Sequence, residues 1–140
     1  MRILLLMLGL VIMAPVGGTQ SDPTIFTCTL LNGRLWLKAG ELPKSTYLAG
    51  FRDALFRVDH SADRTPSPKD MAERWPIGRT NGEMSKALDQ FYAEPENSLI
   101  PIGKSVGIAT MRFNGVEHAE IESYTELLRR VSVGCPEYKH

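Results

Sequence analysis

The 140-residue sequence has little cysteine, no excess of charge and no long apolar run, and each shortage excludes a class of function. Its two cysteines, Cys28 and Cys135, have neither Cys-x-x-Cys nor zinc-ligand spacing, so thiol redox catalysis and a zinc site have no support. The 16 basic and 16 acidic residues balance, so the chain has no field to attract nucleic acid or anionic lipid. We therefore predict no nucleic-acid partner.

The N-terminal segment has the order of a secretion signal. Arg2 supplies a positive charge, the apolar run 3–13 follows, and small residues at 14–18 end that run. A run of about 11 residues is well short of the ~20 that span a membrane, so we expect no stable membrane anchor after cleavage. We predict a cleaved signal peptide at residues 1–18, with Gln20 as the alternative cleavage point, and export from the cytoplasm.

Residues 19–140 have the length of a single domain, and both cysteines lie in them. Two thiols in an oxidising compartment are expected to pair, although two buried free cysteines are the alternative. A Cys28–Cys135 disulfide closes a loop of roughly 107 residues, which removes on the order of 4–5 kcal/mol of unfolded-chain entropy. We predict this disulfide, which would join the two ends of the domain.

Apolar residues recur at three- and four-residue steps through much of this domain, which predicts amphipathic helices. The first predicted helix spans about 43–58 and begins at Pro43, a favoured first helical residue. Gly50 lies inside it and costs about 1 kcal/mol relative to alanine, so we interpret it as the site of a close helix crossing. The predicted inner residues are Tyr47, Leu48, Phe51, Ala54, Leu55 and Val58.

Three more helices are predicted over about 81–94, 101–113 and 116–132. Asn81 is the expected cap of the first, Asn114-Gly115 the left-handed end of the second, and Gly134 the end of the third. Consecutive helices with short connections pack as antiparallel neighbours, so the predicted fold is all-α, a bundle of four to six helices. The predicted inner residues are Met84, Ala87, Leu88 and Phe91; Ile102, Val106, Ala109 and Phe113; and Ile121, Tyr124, Leu128 and Val131.

Three other segments have weaker patterns. The spacing over 30–37 favours a short helix, although Asn32-Gly33 also permits a turn between two short strands. The polar, proline-interrupted stretch 59–68 predicts a loop. Ser67-Pro68 would cap a short helix that ends near Trp75.

Motifs for common chemistry are incomplete. Gly103-Lys104-Ser105 resembles the end of a phosphate-binding loop, but Ser98 stands where the first glycine belongs. Neither 59–63 nor 118–122 supplies three metal ligands on a rigid element, so solvation explains the histidines better. There is no Gly-x-Ser-x-Gly motif. We predict no catalytic residue, no metal and no cofactor. The three histidines are His60, His118 and His140.

The most unusual stretch is 91–101, here called the proline corner, in which two prolines fix a tight connection between two helices. In a purely structural interpretation, Tyr92 and Asn97 hydrogen-bond freed backbone groups and Ile100 fills the core. In a functional interpretation, the corner is a preorganised binding edge, because rigid groups lose little entropy on association. The candidate binding residues are Tyr92, Glu94, Glu96 and Asn97.

Three motifs carry a resemblance to known proteins: Asn32-Gly33-Arg34-x-Trp36, Tyr47-Leu48-x-Gly50-Phe51-x-Asp53-Ala54, and Phe91-Tyr92-x-Glu94-Pro95-x-Asn97-x-x-Ile100-Pro101. Together they resemble a pattern of small exported bacterial proteins of unknown function. The last two are similar, more remotely, to the Tai-type periplasmic immunity proteins, helical disulfide-bearing domains that block secreted amidase effectors. The resemblance implies an inhibitory, immunity-like role. The export signal, the missing catalytic motifs and the rigid corner predict a module that binds a protein or peptide in the bacterial periplasm or outside the cell.

Two other classes of function remain open from the sequence. One is a small cell-wall hydrolase in which Glu94 or Glu96 acts as acid or base. The other is a helical carrier of an apolar ligand in a cavity of the bundle. Loss of turnover on replacing both glutamates with glutamine would indicate the hydrolase, and a co-purified small molecule would indicate the carrier.

Overall fold

The computed structural model describes residues 23–61 and 75–134. The predicted signal peptide, Cys135, His140 and the predicted loop and helix within 62–74 lie outside the described residues. The described part is mostly helical, which confirms the predicted all-α class. It contains five α-helices, two short 3-10 helices and one two-stranded hairpin.

The elements in chain order are a 3-10 helix (Pro23–Ile25), β1 (Phe26–Thr27), β2 (Leu30–Leu31), α1 (Gly33–Lys38), α2 (Glu41–Ser61), α3 (Asn81–Tyr92), a second 3-10 helix (Pro95–Leu99), α4 (Ile102–Phe113) and α5 (His118–Val133). Helix α3 has the most neighbours in the described part of the fold, since it packs against α1, α2 and α4. Helix α5 packs against α4 and against the second 3-10 helix.

The segment 30–37 contains the short helix that its sequence favours, and Asn32-Gly33 is not the turn between two strands that was the alternative. Leu30–Leu31 is a strand that pairs antiparallel with Phe26–Thr27, and α1 begins two residues later. The hairpin turn is formed by Cys28 and Thr29, whose φ angles are 49° and 69°. Asn32 is instead the N-cap of α1, because its Oδ1 accepts a hydrogen bond from the Arg34 backbone N–H at 3.0 Å.

Helix α2 is longer than predicted at both ends. It begins at Glu41, so Pro43 is its third residue, a position in the first turn where the missing N–H has no helical acceptor anyway. It ends at Ser61, so the predicted loop is wrong for 59–61. A polar sequence does not by itself exclude a helix.

The inner face of α2 is narrower than predicted. Leu48 is fully buried, whereas Tyr47, Phe51 and Leu55 are half-buried and Ala54 is exposed. The predicted close helix crossing at Gly50 is wrong, because a methyl group there would meet nothing within 4 Å.

The C-terminal helices match their predicted positions to within two residues, with two corrections. The N-cap of α3 is Thr80 rather than Asn81, because Thr80 and Glu83 form a capping box. In α5, Val131 is 52 % exposed and the predicted burial is wrong, since the buried face continues through Thr125 and Ser132. The Thr125 hydroxyl donates to the Ile121 carbonyl at 2.8 Å, which allows a polar side chain on this face.

Helix α4 ends as its sequence predicts. Gly115 has a φ of 72°, and its N–H donates to the Arg112 carbonyl at 3.2 Å. The Val116 N–H donates to the Met111 carbonyl at 3.1 Å, which completes a Schellman motif. This cap turns the chain towards α5.

The core lies around α3, and burial of each large apolar side chain in it contributes about 1.5–3 kcal/mol. Ile100 is fully buried, as the structural interpretation of the corner predicts. Within the described ranges, no helix is both long and apolar enough to cross a membrane. The largest fully buried apolar side chains are Trp36, Tyr92, Phe91, Leu48, Met84, Leu88, Ile100, Ile102, Ile108 and Val106.

Candidate functional site: the proline corner

The proline corner connects α3 to α4 through a tight 3-10 turn. Pro95 lies in the first turn of the 3-10 helix, where a residue without an N–H fits. The Asn97 N–H donates to the Glu94 carbonyl at 3.0 Å, and the Ile100 N–H donates to the Asn97 carbonyl at 2.9 Å. The backbone that carries Glu94 and Glu96 is therefore fixed by hydrogen bonds and by proline.

Asn97 holds the corner against the end of α3. Its side chain is buried, and its Nδ2 donates to the Phe91 carbonyl at 2.7 Å. That carbonyl is one of the last four of α3, which accept no hydrogen bond from within the helix. On the other side, Asn97 Oδ1 accepts from Arg129 Nε at 2.8 Å, which joins the corner to α5.

Tyr92 holds the corner against the start of α4. Its hydroxyl donates to the Ile100 carbonyl at 3.0 Å and accepts from Ser105 Oγ at 2.8 Å. Burial raises the pKa of the Tyr92 hydroxyl well above its usual value, so the group stays neutral. Gly33 lies against the ring, since a Cβ there would be 2.3 Å from two ring carbons. Only glycine fits beside Tyr92.

The four predicted binding residues therefore divide into an inner and an outer pair. Tyr92 and Asn97 are each 1 % exposed, and a partner would reach them only if the corner rearranged. Their hydrogen bonds to backbone carbonyls are those of the structural interpretation. Glu94 and Glu96 are exposed on the surface. A surface contact at the corner therefore uses the outer pair.

Arg129, which no sequence motif marked, organises the outer face of the corner. Arg129 Nη2 donates to Glu94 Oε2 at 2.8 Å, and Arg129 Nη1 lies 3.6 Å from Glu126 Oε2. Glu94 and Arg129 are 35 residues apart, so no local pattern could have paired them. We call Glu94, Glu96 and Glu126 the acidic edge.

Asp89 is a second polar centre that sequence analysis did not identify. Its Oδ1 accepts from Trp36 Nε1 at 2.8 Å and from Lys44 Nζ at 2.7 Å. The Lys44 ammonium also lies 5.3 Å from the centroid of the Trp36 ring, a favourable cation–π geometry. These contacts join α1 and α2 to α3, so the centre has an evident structural role.

The remaining motifs have structural explanations where they are described. Gly103 lies at the α2–α4 contact, where an added Cβ would be 3.2 Å from the Phe51 ring. Ser105 is buried against Tyr92, so the phosphate-loop resemblance reflects packing. His118 is on the surface beside Glu122. In the described ranges, no three His, Cys, Asp or Glu residues are grouped to hold a metal ion.

No protein-family model, curated protein or solved structure matches this chain. The geometry of the corner is an outward acidic edge beside a backbone that Tyr92 and Asn97 hold from within.

Proposed function

We propose that this protein is an exported protein-binding or inhibitory module of the bacterial periplasm, similar in role to the Tai-type immunity proteins. In this proposal the acidic edge contacts a basic surface of a protein or peptide. The observation that carries the proposal is the division of the corner, in which Tyr92 and Asn97 fix the backbone and leave Glu94 and Glu96 exposed.

The physical argument for binding is preorganisation. Ordering a flexible side chain at an interface costs about 0.5–1.5 kcal/mol. Glu94 already has its position set by Arg129, and both glutamates stand on a hydrogen-bonded 3-10 turn. Exposed carboxylates of one sign speed and select the approach of a partner with the opposite charge.

Export and the disulfide belong to the same proposal. Cys28 lies in the turn of the β1–β2 hairpin, and Cys135 would follow Gly134 at the end of α5. A bond between them would fasten the hairpin to the last helix. Mass spectrometry of protein recovered from periplasm tests both points: we expect an N-terminus at residue 19 and thiols that alkylate only after reduction. An intact leader with two titratable thiols would contradict them.

The hydrolase alternative gains less support from the corner. Acid–base pairs act in concave sites that exclude water, whereas Glu94 and Glu96 are exposed. The carrier alternative needs space between the helices, and large side chains such as Trp36 occupy the described interior. Nothing in the part of the chain that the structure describes favours either alternative.

The experiment is a capture of partners from periplasmic extract by the exported form of the protein. The test variant carries Glu94→Arg and Glu96→Arg. A matched control carries Glu41→Arg and Asp53→Arg, which reverse two exposed charges on α2. We expect the wild type and the control to retain the same protein partner and the corner variant to lose it.

Two results would overturn the proposal. A partner that the corner variant binds as well as the wild type would move the contact surface elsewhere. No partner at all, together with turnover of a cell-wall substrate that disappears in the Glu94→Gln/Glu96→Gln variant, would establish the hydrolase instead. Circular dichroism of every variant confirms that the fold is intact.

A further inference from the structure

Helix α5 carries a second apolar stripe on its outer side. Tyr124, Leu127 and Val131 fall at helical spacing, and the last two are 47 % and 52 % exposed. A shallow groove runs beside them, with Met111 of α4 on its other side. The whole groove is lined by Met111, Glu120, Ser123, Tyr124, Leu127 and Arg130.

The charged residues beside this stripe would complement those of a second copy of the same helix. Glu120 lies in the first turn of the 16-residue helix α5 and Arg130 in its last turn, and both are exposed. A two-fold axis that crosses the helix near residues 125 and 126 would place Glu120 of one copy opposite Arg130 of the other. The same axis would place Tyr124 opposite Leu127. Self-complementarity of this kind is what a two-fold symmetric interface requires.

We propose that two copies of this chain associate through α5, with the two helices antiparallel across the stripe. Tyr124, Leu127 and Val131 would form the apolar centre, and two Glu120–Arg130 pairs would flank it. This inference does not rest on the proposed function. At about 100° per residue, Arg129 points to the side of α5 opposite Leu127, towards the corner. A dimer would therefore leave both acidic edges free.

The size of the surface sets the expected affinity. At about 1.5 Å per residue, α5 is about 24 Å long, and a face about 10 Å wide gives much less than the ~800 Å² per partner of a standard interface. The dimer should therefore be weak and concentration-dependent. We expect it to form between about 10 μM and 1 mM protein.

Sedimentation equilibrium across that concentration range, with charge-reversal variants, tests the proposal. Glu120→Arg alone and Arg130→Glu alone should each be monomeric, because each places like charges opposite one another. An equimolar mixture of the two variants should form heterodimers, since every facing pair is then opposite in sign. The double variant should regain the homodimer.

The controls separate the interface from folding and from partner binding. Leu127→Asp should abolish the dimer, whereas Leu42→Asp, at a site that is 78 % exposed on α2, should keep it. Glu94→Arg/Glu96→Arg should dimerise normally, so failure here and failure of the proposed function are distinguishable. A wild type that stays monomeric throughout would overturn the proposal, as expected if another protein covers the stripe. An association constant that is unchanged in both Glu120→Arg and Arg130→Glu would also overturn the proposal.

Discussion

The two ends of the α3–α4 helix pair differ in whether their buried polar side chains are hydrogen-bonded. At the corner end, Tyr92, Asn97 and Ser105 are buried and all are hydrogen-bonded. Towards the other end, Ser85 Oγ and Thr110 Oγ1 are buried and have no hydrogen-bond partner in the structure as described. The contrast concerns buried side chains alone: those at the corner are hydrogen-bonded, and two buried hydroxyls towards the other end have no partner among the described residues.

The contrast shows where polar side chains determine the structure. Removing a paired group at the corner would leave a buried partner unsatisfied, which costs about 1–3 kcal/mol. Removing an unpaired hydroxyl at the far end would relieve a cost instead. The corner should therefore be the less replaceable region, and four predictions test this difference, beginning with the largest effect.

The largest effect is expected from Gly33→Ala, which would push a methyl group into the Tyr92 ring. The ring cannot yield freely, because its hydroxyl is held by Ile100 and Ser105. We expect a loss of about 3 kcal/mol in the free energy of unfolding, measured by urea denaturation. The matched control, Gly50→Ala, fills open space in a helix and should gain about 0.5–1 kcal/mol. Equal effects of the two changes would show that the corner is not tightly packed.

This pair of glycines also shows what the sequence can and cannot predict. Gly50 stood inside a predicted helix and suggested a close crossing, yet its surroundings are open. Gly33 suggested only a turn, yet it is the position against which a buried ring packs. Helix periodicity is local and predicted the C-terminal helices well. A close approach between residues 33 and 92 depends on the fold, so the sequence carried no sign of it.

The next effect concerns Asn97→Ala. This change would leave the Phe91 carbonyl buried without its donor and would release Arg129 Nε. We expect a loss of about 2 kcal/mol in the free energy of unfolding. Asn81→Ala is the control, because Asn81 Oδ1 has no hydrogen-bond partner in the described ranges and the change should stay within about 0.5 kcal/mol of the wild type. Comparable losses at both asparagines would remove the contrast between the two ends.

A smaller effect is expected when single hydroxyl groups are deleted. Tyr92→Phe removes the group that bridges Ile100 and Ser105 and should cost about 1–1.5 kcal/mol. Thr110→Val removes a buried hydroxyl that has no partner in the part of the chain the structure describes, so stability should be unchanged or slightly higher. Chemical denaturation of the two variants in the same buffer measures the difference. A larger loss in Thr110→Val would mean that an internal water or ligand satisfies that hydroxyl.

The smallest effect concerns the surface cap at the far end of α3. Hydrogen bonds from the Thr80 backbone, Arg79 and the Thr80 hydroxyl lower the pKa of Glu83 to about 2. A carboxyl whose pKa is lower in the folded state stabilises the protein above its unfolded pKa, and that stabilisation is lost as pH falls. Glu83→Gln should therefore be less stable than wild type at neutral pH, and the gap should close between about pH 4.5 and 2. A gap that stays constant over this range would contradict the capping-box account.

The candidate site was predictable in its location but not in its geometry. Two prolines around residues 91–101 marked a rigid corner, and that corner is the 3-10 turn observed. Its sequence allowed Tyr92 and Asn97 either to hydrogen-bond backbone groups or to form a binding edge, and no local pattern decided between the two; their bonds to backbone carbonyls are those of the first interpretation. Nor did the sequence reveal Arg129 or Asp89, whose partners lie 32 and 53 residues away along the chain.

The error at Val131 has a related cause. Periodicity assigned the apolar residue of the last turn to the core, but the buried face carries Thr125 and Ser132 instead. A helix with apolar residues on two sides does not indicate which side its neighbours cover. The exposed side is the one for which we propose a second copy of the chain.

The most direct test of the corner as a rigid platform is native-state hydrogen exchange at the amides of Asn97 and Ile100. Both amides donate within the 3-10 turn that carries Glu94 and Glu96. The account predicts that they exchange as slowly as the amides in the middle of α3 and α4, through opening of the whole domain. Exchange at nearly unprotected rates, while α3 and α4 stay protected, would contradict it.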